Sequence, residues 1–276
     1  MIRYTYVKPI VLECVLITIV LFFLIAFLSS GLTSVYGFSV FSSDDRPLGL
    51  SYDEWAARFW NHWIAKTIQE RFTPQSETPG QLNEGDCLLA NSDNRNEPMI
   101  MLAETADVPR PPTQSCTISS DKGIIVPLWV GWCDTGNPTN RNFNEKQLTE
   151  CSKRQNLGHI RYTVMLDNIP VAKLDVTRNL IPGSDNFDYK VNSVYNVTQF
   201  TSKEFTLKIP SNTHKSSQQV GTWRAVSDGW WVFLKPLPIG QHTIVYGINV
   251  DPTGPVTSPG TNPYKAEVRY KIQVVK

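Results

Sequence analysis

Four histidines, His62, His159, His214 and His242, are the side chains suited to proton transfer or metal ligation near neutral pH, and no two of them stand at a metal-ligand spacing. His62 falls at the edge of an aromatic helix face, where a partly buried imidazole with one hydrogen bond is the ordinary reading and a ligand contact the sharper one. His242 precedes Thr243 at the start of a strand, a place for an orienting hydrogen bond to a turn. A copper or zinc site would have to be assembled in space from these residues with Asp134 or Glu54. The carboxylates Glu54, Asp134, Asp175, Asp228 and Glu267 offer no pairing from sequence of the kind a glycosidase needs. Gly-x-Ser-x-Gly, a phosphate loop and a dinucleotide fingerprint are all missing from the sequence. No cofactor is implied and no catalytic residue is assigned. Asp228 with Gly229 is expected to form a turn.

Tryptophan is the more informative residue, because exposed indoles stack on ligands and buried ones build cores. There are eight: Trp55, Trp60, Trp63, Trp129, Trp132, Trp223, Trp230 and Trp231. Adjacent Trp230 and Trp231 on a strand point to opposite faces, so Trp231, together with Trp223, is a candidate for stacking on a sugar or a partner.

These residues need elements to hold them. Ser51 and Glu54 form a capping box opening a helix over 51 to 68. At 100° per residue, Tyr52, Trp55, Ala56, Phe59, Trp60, Trp63 and Thr67 share one face, which must be buried. A loop follows from Thr73 to Asp86. Beyond it, Met99 to Ala103 and Thr117 to Trp132 supply short apolar runs, the second interrupted by the turn Asp121-Lys122-Gly123. Gly136 to Asn144 is a surface loop, and a short helix from Glu145 to Asn156 is capped by Asn144 and stopped by Gly158.

After Gly158 the apolar period becomes two. His159 to Leu166 turns at Asp167-Asn168 into Val171 to Val176, a hairpin. Phe187 to Val191, Val194 to Phe200, Phe205 to Ile209, Trp230 to Leu234 and Gln241 to Gly247 continue the pattern. In the last strand Ala266, Val268, Tyr270, Ile272 and Val274 alternate with polar residues. The expected fold is mainly β: an antiparallel β-sandwich, jelly-roll or immunoglobulin-like, with the amphipathic aromatic helix packed on it.

Ahead of this domain, Arg3 and Lys8 precede an apolar run from Ile10 to Leu28. As a helix the run spans about 28 Å, close to a hydrocarbon core, with its basic flank inside the cell. Residues 1–9 are then a cytoplasmic n-region, 10–28 a transmembrane anchor or signal peptide, 29–50 a stalk and 51–276 the extracytoplasmic domain. Two locations follow: a single-pass membrane protein with its C-terminal domain outside, or a protein secreted after cleavage near Gly37.

The chain carries 26 Lys and Arg against 25 Asp and Glu. Without Arg3, Lys8 and Glu13 the two signs balance, which gives no footing for nucleic acid. The partners left are the membrane, through residues 10–28, and an envelope protein or glycan. Outside the apolar run stand Cys87, Cys116, Cys133 and Cys151, an even set with no Cys-x-x-Cys pair. In an exported domain this favours two disulfides over a zinc site, and sequential pairing, Cys87 with Cys116 and Cys133 with Cys151, is the preferred of three connectivities. Asn196-Val197-Thr198 is an acceptor tripeptide for N-glycosylation.

Several stretches together resemble an uncharacterised family of exported prokaryotic proteins, from bacteria and ammonia-oxidising archaea. They are Tyr52-Asp53-Glu54-Trp55 with Phe59-Trp60 and Trp63, Ser115-Cys116-Thr117-Ile118, Lys122 to Pro127, Ser227-Asp228-Gly229-Trp230-Trp231, and Pro238 to Ile244 with Gly240, His242 and Thr243. The resemblance spans about residues 51 to 275 and departs from the pattern at Phe59, where a tryptophan is usual, and in longer loops around 137 to 157 and 251 to 263. It implies a secretion signal and a β-rich fold, and no activity. The functional expectation is a non-catalytic extracytoplasmic binding or structural module, with a secreted metal-dependent or carbohydrate-active enzyme as the alternative.

Overall fold

In the computed structural model the described residues are 39–71, 98–102, 113–181, 187–210, 220–251 and 264–276. The apolar run 10–28, the loop at 73–86, Cys87, His214 and the cleavage position near Gly37 lie outside them. None of the described helices is long and apolar enough to cross a membrane.

The described chain is mainly β. Strands β1 (Met99–Met101), β3 (Gly123–Asp134), β7 (Thr198–Thr201), β8 (Phe205–Ile209) and β9 (Gly221–Leu234) form one sheet, in the order β1-β3-β9-β7, with β8 also pairing β9. The second sheet has the order β2-β11-β10-β4-β5-β6, from β2 (Thr113–Ser119), β4 (Gly158–Leu166), β5 (Ile169–Leu180), β6 (Phe187–Tyr195), β10 (Gly240–Asp251) and β11 (Tyr264–Val275). Between the sheets lies a core that takes Ile124, Val126, Leu128, Trp230, Val232 and Leu234 from the first and Val164, Leu174, Tyr246, Tyr270 and Ile272 from the second. The alternation in β11 is as expected, with Val268, Tyr270, Ile272 and Val274 buried between exposed or half-exposed neighbours.

One expectation about strands needs correction. The sheets are not wholly antiparallel, because β1 runs parallel to β3 and β2 parallel to β11. The Asp121-Lys122-Gly123 turn joins two strands as expected, and they belong to different sheets: β2 pairs with β11, while β3 pairs with β9. By contrast Asp167-Asn168 does close β4 on β5, both residues at positive φ (51° and 65°), as a tight hairpin turn needs.

Helix α1 (Tyr52–Arg71) covers the outer face of the first sheet. Its start is the expected capping box: Ser51 N donates to Glu54 Oε2 (2.7 Å) and Glu54 N to Ser51 Oγ (3.3 Å). Trp55, Phe59, Trp60 and Trp63 are buried against Ile125, Trp231 and Phe233. This second covering explains why β3 and the latter half of β9 are buried without alternation: Ile124, Val126 and Val232 face the sandwich core, while Ile125, Val130 and Phe233 face the helix, the parity of β3 changing at its register shift between Pro127 and Trp129. Residues 39–50, expected as the end of a stalk, pack on the sheet and on α1. Val40 bridges Leu234, Phe41 N donates to Phe233 O (2.8 Å), and Pro47 O accepts Trp55 Nε1 (2.9 Å), so residues 39–50 belong to the folded domain.

Helix α2 (Glu145–Arg154) has its N-cap at Asn144, whose side chain accepts from Gln147 N while the Gln147 side chain returns to Asn144 N. Leu148 on α2 packs with Cys133 and Val226, and the disulfide Cys133–Cys151 fastens it to β3 with a Cα separation of 5.8 Å.

Candidate functional site

The Asp228-Gly229 pair is not a turn. β9 runs through it without a break, and both residues are there for depth. Asp228 and Arg178 of β5 are fully buried and pair across the sandwich, linking the two sheets. Arg178 lies over the rings of Trp230 (4.4 Å to the centroid) and Tyr189 (4.7 Å), and its Nη1 also donates to Lys153 O (3.2 Å). Asp228 accepts from Thr201 Oγ1 (2.7 Å) and Asn156 Nδ2 (3.2 Å). Burial raises the Tyr189 phenol above its ordinary value. A Cβ on Gly229 would stand 2.5 Å from Trp129 O and 2.7 Å from Val130 Cα, so glycine is what lets β9 lie this close to β3.

β1 pairs only with residues 123–125 of β3. Beyond that point a cleft of about 600 Å³ opens, in the size range of small-ligand sites, between the end of β3, the C-terminal part of α2 and the indoles of α1. Its inner wall is a tilted pair, Trp60 and Trp132, with ring centroids 4.2 Å apart. Trp60 is fixed by a relay across three elements: its Nε1 donates to Ser227 Oγ (2.8 Å), and that hydroxyl donates to Gly131 O (3.0 Å). Trp132 is held by Asp134, whose Oδ2 accepts its Nε1 (2.9 Å). Asp134 Oδ1 takes Gly136 N (2.8 Å) and Asn137 N (3.2 Å), so one buried carboxylate shapes both the indole and the loop that follows.

The loop 137–140 forms the outer lip. Asn137 Oδ1 accepts from Thr139 N (3.1 Å), starting a short 3₁₀ turn. Asn140 Nδ2 and Gln155 Nε2 make only long contacts to the disulfide sulfurs, 3.8 Å to Cys151 and 3.9 Å to Cys133. Trp129 and Trp132 are half-buried, Asn137 and Asn140 likewise, while Thr139 and Gln155 are exposed. The cleft therefore presents indole faces, amides and a hydroxyl. The one carboxylate that lines it among the described residues, Asp134, is 2% exposed and already bonded at both oxygens.

No protein-family model, curated protein or solved structure matches this chain. Its chemistry is thus read from the geometry alone.

Of the residues singled out from sequence, Asp134, Cys133 and Cys151 line this cleft, whereas the ligand-binding candidates Trp223, Trp231 and His62 do not. Trp231 is 1% exposed beneath α1, edge-on to Phe59 at 5.0 Å, and presents no ring face to a ligand. Trp223 is half-buried and fills the space above Gly136, where a Cβ would meet its Cδ1 at 2.7 Å. His62 is half-buried on α1. Asn196 is exposed in the β6–β7 turn at φ 51°, its Nδ2 donating to Val171 O (2.9 Å). Cys116 is a buried thiol with no disulfide among the described residues, and its expected partner Cys87 lies outside them.

His242 pairs through Nδ1 with Asp167 (2.7 Å) and through Nε2 with Pro238 O (2.8 Å), so both ring nitrogens serve the turn region as expected. His159 pairs with Asp175 (2.8 Å). Among the described residues no three His, Cys, Asp or Glu converge on a point where a metal could sit. Sequence reasoning missed Trp129 and Trp132 as site residues because a strand of continuous apolar character reads as core. The available signal was the neighbouring loop with its four asparagines, directly after Cys133-Asp134.

Proposed function

We propose that this chain is a non-catalytic extracytoplasmic binding module, held at the membrane by residues 10–28 or released by cleavage near Gly37, and built as a sandwich of the jelly-roll or immunoglobulin-like kind. The observation that carries the reading is the cleft: preorganised indoles and amides, with its one carboxylate consumed in shaping the wall. A site of that composition suits holding a ligand, and among the described residues it offers no free acid or base to act on one. The Cys133–Cys151 disulfide is what an oxidising compartment favours, the apolar run is what a tether or export signal needs, and the balanced charge fits an envelope partner better than nucleic acid. Kinship with the exported prokaryotic family it resembles is part of the same proposal.

Two measurements test it. Alkylation of unreduced cells is expected to leave Cys133 and Cys151 unmodified; modification of both would place the domain in a reducing compartment. Sedimentation of the full-length protein with envelope material from its native host is expected to fall sharply for the pair Asn140→Ala and Gln155→Ala. Unchanged sedimentation would remove the cleft from the function.

A further inference from the structure

Resting on that reading of the cleft, we infer that its ligand is a neutral pyranose oligosaccharide of the cell envelope. Three features converge on this class. The described groups that reach the opening, Asn137, Thr139, Asn140 and Gln155, are all uncharged, and Asp134 is turned into the wall, so none of the described residues at the opening selects for an ion. The Thr139 hydroxyl already donates to Asn137 Oδ1 (2.8 Å), which leaves the amides of Asn140 and Gln155 as the groups that carry donor and acceptor capacity together, matching sugar hydroxyls, themselves both donor and acceptor. A proline-rich peptide, the other common tenant of an indole-lined groove, offers chiefly acceptors and would leave half of that capacity unmet.

The rings complete the match. A pyranose has one face of C–H bonds and an equator of hydroxyls, so it lies on a π-surface while its edge bonds to in-plane amides. Trp129 and Trp132 stand on the same strand with ring surface partly open, and Trp60 backs Trp132 at 4.2 Å so that it cannot swing away. Trp132 has no donor to spare for a ligand, because its N–H is spent on Asp134. It is therefore a stacking platform. Asn140 and Gln155, whose amide nitrogens now reach only sulfur, are the natural hydrogen-bonding pair beside it.

The test is isothermal titration of the full-length protein in detergent with tetraacetylchitotetraose, cellotetraose and maltotetraose, and with decaproline as the competing class. Saturable binding of at least one oligosaccharide is expected, weakened about tenfold by Asn140→Ala or Gln155→Ala, each of which removes one ligand hydrogen bond, from a half-buried and an exposed side chain respectively, outside the core. Thermal unfolding at the wild-type temperature shows that each variant is folded. Trp132→Phe keeps a ring while shrinking the platform, and is expected to weaken binding without abolishing it. Saturable binding of decaproline alone, or oligosaccharide binding indifferent to all three variants, overturns the assignment. If no oligosaccharide binds while envelope sedimentation still depends on Asn140 and Gln155, the saccharide class is wrong and the binding module stands; if both fail, the cleft is not the site.

Discussion

Asp228 and Arg178 meet where neither touches water, and each is costly to leave alone. Among the described residues the Nε and Nη2 of Arg178 have no hydrogen-bond partner, and the guanidinium lies against the rings of Trp230 and Tyr189. Asp228→Ala is expected to lower unfolding stability by about 3–5 kcal/mol in urea denaturation, because it strands a buried guanidinium. The double variant Arg178→Met with Asp228→Leu should recover most of that loss; an equally unstable double variant would mean the pair does more than satisfy itself. Gly229 poses the opposite test to intuition. Alanine is the better strand residue, yet Gly229→Ala is expected to cost at least ~1–3 kcal/mol, since the atoms it meets are backbone and cannot step aside. Local sequence hid both roles: Asp-Gly is the commonest turn pair, and nothing short of the cross-sheet partner Arg178 and the nearby Trp129 carbonyl distinguishes a turn from a buried strand.

At the scale of elements, the helix and most strands were legible because their signals are local. Ser51 and Glu54 mark the start of α1, the aromatic spacing marks its buried face, and β11 alternates cleanly. Sheet membership was not legible, since β2 and β3 are adjacent in sequence and diverge to different sheets, and the parallel pairing of β2 with β11 joins segments far apart in the sequence. The cap makes a prediction about acid. Bonds from the Ser51 backbone and hydroxyl, helped by Arg46 and Arg58, hold the Glu54 carboxyl below its ordinary value. The Ser119 side chain does the same for Asp121. At Asp175 burial pushes upward, but Asn192, His159 and Arg161 outweigh it and the net direction is down. Folded values below unfolded ones give stability that is complete above the unfolded values near pH ~4 and is lost as pH falls through the folded ones. The urea midpoint should therefore drop steadily below about pH 4. Glu54→Gln should flatten part of that drop; an unchanged profile would show that the cap does not contribute.

At the largest scale described, the cleft is bordered by a staple, Cys133–Cys151, and by a plug, the indoles of α1. The Cys133–Cys151 bridge closes a separation of 18 residues, and replacing both cysteines with serine is expected to cost about 3 kcal/mol and to lower the melting temperature by several degrees. The same change should weaken ligand binding, because α2 supplies one wall of the cleft. The most direct test of the account is hydroxyl-radical footprinting of the tryptophans in the full-length protein, with and without envelope material. Trp129, Trp132 and the half-buried Trp223 are expected to be oxidised in the free protein, Trp55, Trp60 and Trp231 to be spared, and envelope material to protect Trp129 and Trp132 while leaving Trp223 reactive. Oxidation of Trp55 and Trp231 at the rate of Trp132, or envelope addition that leaves Trp132 as reactive as before, would contradict it.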